Sequence, residues 1–230
     1  MKIDFQYRQF IAIMSFILFF SCTPMDHYYS EFIPGAIRVY PGKVDSVLVS
    51  PGYNRIMLGT QLSSDPKVVK MAIYWQNKQE SIEVSILPSD IGKMKEIIIN
   101  PIAEGTYNFE IFTFDEKNNS SIKTETFGRV YGDRFINNLN NRSISSSGFV
   151  NSNDAFIKWI PEDDLTFIGT ELTYTKQDSN DITSKIPKAE ETTVLSNYKS
   201  GSEIKYRSMF IPTPTAIDTL YSPSNTLIID

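Results

Sequence analysis

Gly105-Thr-Tyr-Asn-Phe-Glu-Ile-Phe-Thr-Phe114 decides the fold. Its aromatic and aliphatic residues recur every second position. Tyr107, Phe109 and Ile111 fall on one face, with Asn108, Glu110, Phe112 and Phe114 on the other. A period of two is the pleat of a β-strand, since successive side chains leave opposite faces. Similar short runs surround it, at Val44–Val49, Arg55–Gln61, Val68–Trp75, Ser81–Ile86, Glu96–Ile99 and Ser121–Val130. Turn formers separate them: Pro51-Gly52, Ser64-Asp65-Pro66, Pro88–Gly92, Glu104-Gly105 and Asp115–Asn119. Short strands punctuated at this spacing predict a β-sandwich.

The second half carries a looser version of the pattern. Asn153-Asp-Ala-Phe-Ile-Lys-Trp-Ile-Pro161 places Ala155, Ile157 and Trp159 on one face, and Ile168–Tyr174 reads as the following strand. Gly201–Phe210 parallels Gly105–Phe114, and a last strand is expected at Asp218–Ser222 or Thr226–Ile229. The Trp just before a Pro-containing turn resembles the second strand of a fibronectin type III domain. The fold expected is all-β: tandem immunoglobulin/fibronectin type III-like β-sandwiches after a lipoprotein signal peptide. The domains expected are a signal peptide at 1–21, a lipidated tether at 22–39 and sandwiches at 40–132 and 149–230. The Asn/Ser-rich stretch 133–148 between them reads as a linker, with a short helix around Asp133–Leu139.

The N-terminus reads as an export signal. Lys2 and Arg8 precede the apolar run Phe10–Phe20, which is too short to span a bilayer, since a spanning helix takes about 20 apolar residues. Ser21-Cys22 follows directly and resembles a lipobox. That resemblance implies cleavage before Cys22 and lipid attachment at its sulfur. It predicts an outer-membrane, lipid-anchored protein on the periplasmic or cell-surface side.

The first half also resembles a Bacteroidota secreted lipoprotein family of unknown function. The segments that carry this likeness are Tyr40-Pro-Gly-Lys-Val-Asp-Ser46, Ser64-Asp-Pro-Lys-Val68, Ile73-Tyr-Trp75, Glu104-Gly-Thr-Tyr-Asn-Phe-Glu-Ile111 and Gly128-Arg-Val-Tyr-Gly-Asp133. The similarity covers about residues 35–145 well and the remainder weakly. It implies a secreted lipoprotein with fibronectin-like domains. Many relatives belong to glycan-acquisition or adhesion systems, while the family itself has no assigned activity.

Composition narrows the chemistry. Among 230 residues there are one His and one Cys, too few for a Cys/His zinc site or a disulfide. His27 falls in the tether. A net charge of -5 with scattered Lys and Arg speaks against nucleic acid. No nucleophile motif, phosphate loop or dinucleotide fingerprint is present. The acidic clusters Glu162-Asp163-Asp164 and Asp178–Asp181 read as turns. A calcium site or a glycosidase pair at the first is the weaker reading. No metal and no cofactor is expected, and the chain reads as a non-enzyme.

The remaining lead is aromatic. Met71, Ile73 and Trp75 share one face of their strand, and Tyr74 sits opposite. In a fibronectin-like sandwich this strand lies beside Gly105–Phe114. Tyr74, Phe112 and Phe114 then share an outer face, a candidate binding strip unless other parts of the chain cover it. Aromatic faces stack on sugars and anchor protein partners. The function expected is a non-catalytic cell-surface binding or adhesion lipoprotein, with a glycan or an outer-membrane protein as ligand. The alternative is a structural spacer or accessory subunit of an outer-membrane complex that binds protein partners only. Asp45-Ser46-Val47 and Asp218-Thr219-Leu220 also match a short Asp-Ser/Thr-aliphatic pattern of bacterial O-glycosylation.

Overall fold

The strand β6 (Gly105–Phe114) pairs antiparallel on both sides, with β3 (Lys70–Trp75) and β7 (Thr124–Val130). Beyond β3 lies β4 (Glu80–Ser85), which completes a four-stranded sheet of order β4-β3-β6-β7. Facing it is a three-stranded sheet, β1 (Ser46–Pro51), β2 (Ile56–Gln61) and β5 (Met94–Ile99). The computed structural model describes residues 40–230. The expected signal peptide, the tether with His27 and the lipid-attachment residue Cys22 lie outside the described residues.

The two sheets close over one apolar core, formed by Ile56, Leu58, Met71, Ile73, Trp75, Ile97, Phe109, Ile111 and Val130. The period-two assignment carries through: Phe109 and Ile111 on β6, and Met71 and Ile73 on β3, are essentially without solvent exposure. At about 25 cal/mol per Å² of apolar area removed from water, these large side chains are the main driving force for the sandwich.

A second sandwich follows. Its three-stranded sheet has the order β12 (Thr192–Leu195), β9 (Ala155–Trp159), β8 (Ile144–Phe149). Opposite it run β11 (Asp181–Pro187), β10 (Phe167–Thr175), β13 (Glu203–Phe210) and β14 (Leu220–Tyr221), and β15 (Asn225–Ile228) also pairs with β13. Its separate core comprises Ala155, Ile157, Trp159, Leu172, Tyr174, Leu195, Tyr198, Ile204, Tyr206 and Ile229. The protein is therefore all-β, a pair of tandem sandwiches. Both sites expected for a last strand are strands, β14 and β15, pairing with opposite ends of β13.

Three strands carry no sequence expectation: β8, β11 and β12. Each is an edge strand, in contact with one neighbour only. An edge strand needs less apolar pattern than a central one, and β8 (Ile-Ser-Ser-Ser-Gly-Phe) has almost none. The stretch 133–148, read as a linker, is thus largely structured. It begins with the one-turn helix α1 (Asp133–Ile136) and ends within β8.

Side-chain hydrogen bonds draw 141–143 into the second sandwich. Asn141 Oδ1 accepts the Ser208 N–H at 2.8 Å and the Ser222 hydroxyl at 2.7 Å. The Arg142 N–H donates to Ser208 Oγ at 2.7 Å. The Arg142 side chain is 2% exposed, and its guanidinium donates to the carbonyls of Ile160 (3.0 Å) and Glu190 (2.9 Å).

Candidate functional site

Tyr74, Phe112 and Phe114 lie on the face of the β4-β3-β6-β7 sheet opposite the core. Register sets their spacing: Tyr74 pairs with Glu110, Ala72 with Phe112, and Lys70 with Phe114. All three rings are half-buried. Tyr74 meets Phe112 edge to face, with centroids 6.0 Å apart and planes at 75°. The cover comes from lysines of the same sandwich. Lys70 Nζ sits 4.8 Å from the Phe114 centroid, and Lys78 Nζ sits 5.2 Å from that of Phe112. Such cation–π contacts are worth about 0.5–1 kcal/mol at a surface.

Glu110 anchors this arrangement. It lies between Lys78 (3.2 Å) and Lys123 (3.5 Å), and Lys123 also reaches Glu125 at 2.6 Å. Bonding to Glu125 holds the Lys123 ammonium above its ordinary pKa and the Glu125 carboxyl below its own. Lys78 takes its position from the β3–β4 turn, where Gln76, Asn77 and Lys78 all adopt positive φ, at 51°, 55° and 64°.

The most exposed ring of the face is one the sequence reading did not single out. Phe127 on β7 is 71% exposed. Its neighbour Gly128 points inward, since a Cβ there would meet Ile56 Cδ1 at 2.5 Å. Phe127 therefore points outward and pairs across with Asn108, two residue pairs beyond the Glu110–Glu125 pair and on the same face. Alternation along Glu125, Phe127 and Arg129 was available as a signal, but only the register on β6 brings Phe127 onto the Tyr74 face. Further along, Arg129 lies 5.0 Å from the Tyr131 centroid and 5.6 Å from that of Phe135.

The acidic clusters act as turns. Asp164 Oδ1 accepts both the N–H and the hydroxyl of Thr166, each at 2.8 Å, and these bonds hold its carboxyl below the usual range. Asp178 accepts the Asn180 N–H at 3.1 Å. Among the described residues no group of three His, Cys, Asp or Glu side chains is placed to hold a metal ion, and no helix is long and apolar enough to cross a membrane. Of the two glycosylation tripeptides, Ser46 is exposed at the start of β1. Thr219 is half-buried beside Asp218, whose carboxylate is engaged by Arg55.

A family model described as a domain of unknown function, DUF4998, matches residues 22–220. The chain belongs to the DUF4998 family. Solved structures similar to this DUF4998 protein include the FN1-FN3 domains of chicken CNTN1. That likeness is 12% identical with a TM-score of 0.42, covering 83% of this chain and 65% of that one. The chain thus spans about two thirds of the CNTN1 structure's length. A two-domain fibronectin type III segment of chicken tenascin is 14% identical with a TM-score of 0.34, covering 81% of this chain and 99% of that one. No curated protein matches the chain.

Proposed function

We propose that this DUF4998 protein is a non-catalytic binding module, held at the outer membrane by lipid on Cys22 as a lipoprotein of Bacteroidota type. The binding surface is the outer face of the β4-β3-β6-β7 sheet. The observation that carries this reading is Phe127, a large ring left 71% exposed on the same face as Tyr74, Phe112 and Phe114. Exposed aromatics rimmed by charge are what interfaces use as anchors.

The lysines bear on ligand class. Phe112 and Phe114 each have a lysine ammonium over the ring, so flat stacking of a sugar there requires its displacement. Among the described residues Phe127 carries no such cation–π contact. A protein surface that sets an apolar residue against Phe127 and charges against the Lys78–Glu110–Lys123–Glu125 group fits this face better than a glycan stacked along the strip.

The test is a pull-down of outer-membrane proteins on the full chain, run beside a glycan array. Phe127→Ala is expected to weaken protein capture by roughly 10-fold or more, the range of an interface anchor. Thermal stability stays unchanged, because the side chain is mostly in water. Undiminished capture by the Phe127→Ala protein sinks the proposed face. Glycan binding lost on Phe127→Ala replaces the protein ligand with a sugar.

A further inference from the structure

The most constrained contact between the two sandwiches is made by residues 211–219, the segment joining β13 to β14. It leaves the second sandwich and lies along the β1–β2 end of the first. The Thr215 hydroxyl donates to the Val49 carbonyl at 3.1 Å, and the Ile217 N–H donates to the Pro51 carbonyl at 2.9 Å. Asp218 then receives three donors from the β1–β2 turn. Oδ2 accepts the Tyr53 N–H at 2.8 Å and Arg55 Nε at 2.9 Å, while Oδ1 accepts Arg55 Nη2. The guanidinium and carboxylate thus meet fork to fork, the strongest geometry open to an ion pair.

The same turn is held from its other side. Tyr53 forms a parallel bridge with Tyr131, and its hydroxyl donates to Asp133 Oδ1 of α1 at 2.5 Å. Arg134 faces Glu104, with its N–H donating to Oε2 at 2.9 Å. Residue 52 has to be small. A Cβ on Gly52 would stand 2.5 Å from Asp218 Oδ2 and 2.8 Å from Ile217 Cγ1. One main-chain bond, one hydroxyl bond to a main-chain carbonyl, one forked ion pair and one glycine-sized gap therefore converge on a single contact between modules whose cores are separate.

We propose that residues 211–219 are a latch between the two sandwiches, with Asp218 as its catch and Gly52 as its seat. Closed, the latch fixes the direction in which the Phe127 face is presented relative to the second sandwich. Open, the 133–143 connection alone joins them. This holds whatever ligand that face takes.

Amide hydrogen exchange on the full chain tests it. In Asp218→Asn, exchange at the Tyr53 and Ile217 amides is expected to rise together by roughly tenfold or more, because both belong to one opening event. Core segments 71–75 and 155–159 should keep their protection. Gly52→Ala changes no charge and should produce the same joint rise. Unchanged exchange at both amides overturns the latch. So does a rise at Ile217 with Tyr53 still protected, since the strap would then move without releasing the turn. If Asp218→Asn unfolds the protein, the core segments report it, and Gly52→Ala and Arg55→Gln decide by the same criterion.

Discussion

Arg142 is a long charged side chain with 2% exposure, sitting in an Asn/Ser-rich stretch that reads as solvent-facing. Burial pushes its guanidinium below the ordinary arginine value, and Glu162, Glu190 and Glu191 partly offset this. It lies 5.7 Å from the Trp159 centroid and 5.8 Å from that of Phe167, closing the end of the second core. Its guanidinium ties the Ile160 and Glu190 carbonyls to the segment that leads into β8. Replacing it with Ala strands both carbonyls and opens a void beneath two rings. Arg142→Ala is therefore expected to destabilise the protein by about 2–4 kcal/mol, measured by chemical denaturation. Nothing in the local sequence marks this residue, because its partners come from Ile160 and Glu190, on two other segments. The Trp159 ring beneath it was legible, since its strand alternates.

At the scale of elements, β10 shows where alternation alone fails. Its pairing with β13 shifts register between Phe167 and Gly169, a β-bulge that lets both Phe167 and Thr170 stay buried. Gly169 adopts φ +155°, and a Cβ there would stand 2.3 Å from the Ile186 carbonyl oxygen of β11. That oxygen is main chain and cannot swing away. Gly169→Ala is expected to cost about 2–4 kcal/mol, combining backbone strain with overpacking, and to lower the denaturation midpoint. Central strands such as β3, β6 and β9 were readable from composition because both flanks are paired and one face is core. The edges β1, β4, β5 and β7 were readable as well, whereas β8, β11 and β12 were not, because little apolar alternation marks them.

For the whole molecule, coupling between the sandwiches depends on one carboxylate. Hydrogen bonding from Arg55 is the main cause that holds the Asp218 carboxyl below its usual pKa, with the Tyr53 N–H adding to it. A carboxyl depressed in the folded state contributes stability that is full above its unfolded value, about 3.9, and is lost as pH falls through the lower folded value. Between pH 5 and 8 the latch should thus be insensitive to pH. Below about pH 4 the Tyr53 and Ile217 amides should lose protection together as Asp218 takes up a proton. Exchange profiles at several acid pH values check this. Protection lost near neutrality would contradict the assignment of Asp218.

The sequence by itself determined that the chain is all-β, that it holds two sandwiches, and which faces of β3, β6 and β9 are core. These properties are local, since a strand's period of two and its turn residues are written in consecutive positions. Only the tertiary structure decided that Phe127 joins the Tyr74 face, that Arg142 closes the second core and that Asp218 bridges the two sandwiches. Arg55 and Asp218 are 163 residues apart, so the pair is set by register, bulges and chain crossing, and no window of consecutive residues records it.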